Sequence, residues 1–192
     1  AILTTLAALV DGGLTADSSF VLYYAGHGIA ADDAEHTGPK GFLRAHDADV
    51  KDQSTWLGMD ALRGALDGLT ARHLMLVLDC CYAGAFQWAS TRSVGVAKRP
   101  LFKSQYERYR DGIAWQVLTS ASYDELADDA APVNPNRGIA DGPDGHSPFA
   151  KALIEGLSGN TADSSRGEIR ADGVITATEL YQYIYEKVAV ND

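Results

Sequence analysis

Three short apolar and aromatic runs stand out along the chain: residues 20–24 in SSFVLYYAGHG, 74–78 in RHLMLVLDCCYAG and 115–118 in WQVLTSAS. Runs of this length that end in glycine or small polar residues suit strands buried on both faces, as in a parallel sheet. Helical spacing fills the intervals. Ile2, Leu3, Leu6 and Leu9 make an apolar stripe at the start, and Met59, Leu62, Leu66 and Leu69 share a face between the first two strands. Ser147-Pro148 reads as an N-cap with proline at the first helical position, ahead of Phe149, Leu153, Ile154 and Leu157. Thr176-Ala177-Thr178-Glu179 is a capping box, with Ile175 and Leu180 placed as a hydrophobic staple; Ile184 and Val188 continue the stripe. Strands alternating with helices predict an α/β sheet, whose ligand site lies beyond the carboxyl ends of its strands. Residues 30–55, rich in Asp and Gly, and 85–114, polar and basic, read as two long irregular segments.

Composition narrows the function classes. The 192 residues suffice for one well-cored domain, and 46% hydrophobic with 22% charged residues is ordinary globular composition. A net charge of −10 argues against binding a nucleic-acid backbone. No apolar stretch is long enough to span a bilayer, and the apolar start lacks a basic leader, so neither a membrane nor a secretion signal is expected. The two cysteines, Cys80 and Cys81, are neighbours. A bridge between neighbours is strained and no other partner exists, which points to a reducing, cytoplasmic setting. Two cysteines also fall short of a structural zinc site, and nothing in the chain calls for a cofactor.

Cys81 follows one predicted strand and His27 another, 54 residues earlier. A thiol becomes a useful nucleophile at neutral pH when a base stands beside it. Each residue also has a bland reading: a cysteine at a strand end is commonly a small buried hydrophobe, and a loop histidine commonly does nothing. Two glycines flanking His27, and the placement of both residues at strand ends, favour the joint reading. Cys80, pointing to the other sheet face, reads as core.

YYAGHG and LVLDCCYAG together resemble the histidine and cysteine motifs of the caspase and metacaspase family, over about residues 18–188. The resemblance implies a caspase-like three-layer sandwich, a mostly parallel sheet with helices on both faces. It implies one domain, with a large-subunit-like part over 1–84, a linker over 85–114 and a small-subunit-like part over 115–192. It also implies a central strand missing ahead of residue 1. The implied activity is a cysteine endopeptidase with Cys81 as nucleophile, His27 as base and the Gly28 and Cys81 N–H groups as oxyanion hole. Asp79, two before the nucleophile, implies cleavage after Arg or Lys, since a carboxylate pairs well with a guanidinium. The alternatives are a catalytically silent interaction module and a non-proteolytic cysteine hydrolase or transferase on the same sheet, in which Cys81 would label without peptide cleavage. Protein or peptide substrates and an activating sensor partner or fused domain follow from the same likeness, as does self-cleavage at Arg92, Lys98, Arg99, Lys103, Arg108 or Arg110. Tyr82 and Ala25 depart from the family, which usually has His after the nucleophile and often Ser two before the histidine.

Two calcium readings are set aside. Asp172, Gly173, Ile175 and Glu179 match half of a calcium loop, but Arg170 stands where an oxygen ligand is needed. Asp32, Asp33, Asp47, Asp49 and Asp52 read as a solvated acidic loop.

Overall fold

A computed structural model describes residues 2–31, 39–89, 110–120, 146–158, 161–163 and 173–188. The chain divides into two compact units, Ala1–Ser93 with Ala114–Pro132, and Val94–Ile113 with Val133–Asp192.

In the first unit, helix α1 (Ile2–Val10) precedes strand β1 (Ser19–Ala25). Strands β2 (His27–Ala31), β3 (Lys40–Arg44) and β4 (Leu57–Gly58) follow, then helix α2 (Met59–Asp67), β5 (His73–Asp79) and β6 (Ala114–Thr119). β1, β5 and β6 form a parallel sheet in that order, with Tyr24 level with Leu78 and Leu78 with Thr119. Aligned residues of parallel strands share a face. One face therefore carries Phe20, Leu22 and Tyr24 from β1, Leu74, Leu76 and Leu78 from β5, and Trp115 from β6. These pack in one core with Leu6 of α1 and Met59, Leu62 and Leu66 of α2. β5, flanked on both sides, buries Leu76, Val77 and Leu78, as its apolar run requires. β1 behaves differently: among the described residues it pairs only with β5, and Val21 and Tyr23 are exposed.

A separate antiparallel sheet joins β2, β3 and β4, with His27 level with Arg44 and Gly28 with Leu43. It occupies part of what the sequence suggested was an irregular stretch. Strand-forming residues are sparse there, and the ladder is held by a short apolar set, Phe42 and Leu43, buried in β3. A Cβ on Gly41 would stand 2.4 Å from the Met59 sulfur, so the sheet lies close on α2. A 3₁₀ segment, Ala83–Ala89, follows β5 and adds Ala83, Ala85 and Phe86 to the core.

The second unit contributes helices α3 (Pro148–Leu157) and α4 (Ala177–Val188). The expected caps are present: Ser147 Oγ accepts the Ala150 N–H at 2.9 Å, and Glu179 Oε2 accepts the Thr176 N–H at 2.8 Å. Gly156 lets the helices approach, since a Cβ there would meet Leu180 at 2.9 Å.

The caspase-like three-layer sandwich is thus corrected. The described strands make two small sheets, one parallel and one antiparallel, rather than a single continuous sheet with helices on both faces. The physical cause is visible after β1. One residue, Gly26, separates β1 from β2, so the chain turns at once into strands that pair with each other. The expectation of a central strand ahead of residue 1 rested on that sandwich.

Candidate functional site

The carboxyl ends of β1 and β5 meet at one place. The Gly26 N–H donates to the Asp79 carbonyl at 3.2 Å, carrying the parallel ladder one step beyond β1. The chain then enters β2 at His27. Gly28 is buried, and a Cβ built on it would lie 1.9 Å from the Cys81 carbonyl oxygen and 3.0 Å from the Cys80 sulfur. Only a residue without a side chain lets the two backbones run this close. Residues widely separated in sequence are in contact for that reason.

The cysteine turn is held from several directions. Ser120, the first residue after β6, accepts the Cys80 N–H through Oγ at 3.0 Å, and its hydroxyl lies 3.3 Å from the Cys80 carbonyl. Its own N–H donates to the Leu78 carbonyl at 3.0 Å. Tyr82 has φ of 54°, the left-handed region that costs a residue with a side chain about 1–2 kcal/mol. Its carbonyl accepts the Ala85 N–H at 2.9 Å, opening the 3₁₀ segment. Non-glycine residues kept in this conformation are found preferentially at functional sites. Cys80 is 2% exposed within the core cluster, as expected, while Cys81 is 8% exposed and lies outside that cluster.

Two tyrosines that the sequence reading passed over reach this site. Tyr23 donates to Asp79 Oδ2 at 3.0 Å. Burial first, then the Asp79 charge, pushes the Tyr23 phenol well above its ordinary range. Tyr24 lies 3.0 Å from the His27 carbonyl and 2.9 Å from the Arg44 carbonyl through its hydroxyl. Its pKa is pushed up to about 12, chiefly by burial, with the neighbouring Cys80 adding to the rise. Successive residues of a strand face opposite ways, so a Tyr-Tyr pair at a strand end signals that one ring serves each face. Ser120, in LTSAS, carried no comparable signal.

Elsewhere the candidates separate. Among the described residues no group of three or more His, Cys, Asp or Glu is placed to hold a metal ion. Asp49 and Asp52 serve their own loop: Asp49 Oδ1 accepts the Lys51 N–H, and Asp52 Oδ1 accepts Ser54 N–H and hydroxyl. Those hydrogen bonds hold the Asp52 carboxyl below its ordinary pKa. Asp32, Asp33, Arg170, Asp172, Arg92, Lys98, Arg99, Lys103 and Arg108 lie outside the described residues; Arg110 is exposed and pairs with Asp111 at 3.4 Å.

No family model, no curated protein and no solved structure matches this chain. Its described residues define a small α/β protein with one parallel and one antiparallel sheet. The caspase and metacaspase resemblance is therefore corrected, and with it the cysteine endopeptidase, its protease and hydrolase descriptors, the silent caspase-like module and self-cleavage in the linker. The motifs that carried the likeness are short. Each is an apolar strand running into a glycine-containing turn at the carboxyl edge of the parallel sheet, where α/β sheets place their ligand sites whatever the family. No described helix is long and apolar enough to cross a membrane.

Proposed function

We propose that the carboxyl edge of the parallel sheet is a reactive-thiol site, at which the Cys81 sulfur adds to an electrophilic carbonyl carbon of a ligand, the C=O π pair moving to its oxygen, while His27 takes the thiol proton. The observation that carries this reading is the contact of Gly28 with the Cys81 backbone, beside a Tyr82 held left-handed. It brings the stretch carrying His27 against the stretch carrying Cys81. An unperturbed cysteine, with a pKa near 8.5, is only a few per cent thiolate at neutral pH, so a base beside it decides whether it reacts. The Gly28 and Cys81 N–H groups are proposed to receive negative charge developing on the ligand, and Asp79 to favour ligands bearing positive charge. The ligand is a small molecule or a modified peptide group; peptide-bond cleavage forms no part of the proposal. Two cysteines that form no disulfide suit a reducing compartment, where such a thiol persists.

Iodoacetamide labelling of the native protein, with Cys80→Ala and Cys81→Ala variants to assign each sulfur, tests this. Cys81 is expected to label while Cys80 stays protected until the protein is unfolded. His27→Gln should slow Cys81 labelling near neutral pH by about tenfold, toward the rate of an unassisted thiol. Equal labelling of both cysteines, or a His27→Gln rate equal to that of the unaltered protein, would overturn the proposal.

A further inference from the structure

We infer that Tyr24 is a positioning residue for His27: its hydroxyl fixes the main-chain rung from which the histidine projects. The inference rests on the reactive-thiol reading of the site. His27 and Arg44 are partners in the β2–β3 register, so their carbonyls stand at one end of the antiparallel sheet. Both converge on the Tyr24 hydroxyl, at 3.0 and 2.9 Å. A hydroxyl has a single proton, which the two carbonyls share.

Tyr24 itself is anchored. It is the penultimate residue of β1, level with Leu78, and its ring packs on the buried core. The hydroxyl therefore ties the end of the parallel sheet to the first rung of the antiparallel one. A second observation agrees. A Cβ on Gly26 would stand 2.8 Å from the Tyr24 hydroxyl oxygen, so the residue between the sheets leaves room for that oxygen. Phenylalanine at position 24 would keep the ring and leave both carbonyls facing a hydrocarbon edge. The His27 rung would then lose the tie to the parallel sheet.

The test is the pH profile of Cys81 alkylation in the full chain, from about pH 6 to about pH 9, across the range where histidine and cysteine titrate. The unaltered protein, Tyr24→Phe, Gly26→Ala and His27→Gln are compared. Tyr24→Phe is expected to lower the rate at the acid end by about five-fold, the equivalent of one neutral hydrogen bond, with a smaller effect where the thiol ionises unaided. Gly26→Ala, which displaces the hydroxyl without deleting it, should act in the same direction. Amide hydrogen exchange supplies a second measurement: Tyr24→Phe should speed exchange in residues 27–31 and leave 74–78 unchanged. If His27→Gln alters the profile while Tyr24→Phe matches the unaltered protein in profile and exchange, the positioning role is wrong and the thiol site stands. If His27→Gln leaves the profile unchanged, the thiol site fails first. Loss of protection in both segments of Tyr24→Phe would show a general structural role and also overturn the inference.

Discussion

Replacing Gly28 by alanine is the sharpest perturbation the structure offers. The added methyl would begin 1.9 Å from the Cys81 carbonyl oxygen, with the Cys80 sulfur at 3.0 Å. Carbon and oxygen rest no closer than about 3.3 Å, so the two backbones must part by about 1.4 Å. A side chain could rotate away, but a carbonyl fixed in a turn cannot. The Cys80 backbone is tied to Ser120, and Tyr82 carries the first bond of the 3₁₀ segment. Overpacking commonly costs about 1–3 kcal/mol, and a backbone obstacle places this case at about 3 kcal/mol. At about 2–4 °C per kcal/mol for a chain of this size, the melting temperature should fall by about 6–12 °C. Gly64→Ala is the internal control. Gly64 lies exposed in α2, and a Cβ there meets nothing within 4 Å. Alanine should therefore stabilise the helix by about 0.8–1 kcal/mol. Calorimetry of both variants, with alkylation of Cys81 read alongside, gives the comparison. Gly28→Ala should also detach the His27 stretch from Cys81 and change the labelling rate. A Gly28→Ala protein that melts within about 2 °C of the original and labels at its rate would refute the close approach.

Alkaline titration should reveal the two raised phenols. Folding favours the neutral Tyr24, so its contribution is complete below the ordinary value of 10.0 and is lost as pH rises through about 12. Tyr23, also pushed upward, adds to the same loss, and a urea midpoint that stays constant across this interval would contradict the rise of both phenols. In the second unit, Thr176→Ala removes the Oγ1 that accepts the Glu179 N–H at 3.2 Å and donates to Glu179 Oε2 at 2.7 Å. It should cost about 1 kcal/mol by denaturant unfolding, and a change below about 0.3 kcal/mol would show that the capping box does not hold α4.

Elements with local signals were legible from the chain alone. Apolar runs at 20–24, 74–78 and 115–118 became β1, β5 and β6, although only β5, paired on both sides, buries most of its run. Ser147-Pro148 and the Thr176–Glu179 box marked helix starts, because a cap is a bond between residues three apart. The sequence also placed Cys80 in the core and Cys81 at a strand end. What it could not determine were the pairings. KGFLR and the two-residue strand Leu57–Gly58 have no period of their own, and become strands only because β2 pairs with the first and the first in turn pairs with the second. The short motifs around His27 and Cys81 suggested a larger sheet, since the turn at a sheet's carboxyl edge looks alike whatever is built around it. Likewise Tyr23, Tyr24 and Ser120 were hidden as ordinary strand and loop residues. Their partners, Asp79, His27, Arg44 and Cys80, are mostly distant in the chain, and a hydrogen bond between distant residues leaves no spacing to read. Tertiary structure alone decided that the two glycine turns meet, because that contact depends on an atom Gly28 lacks.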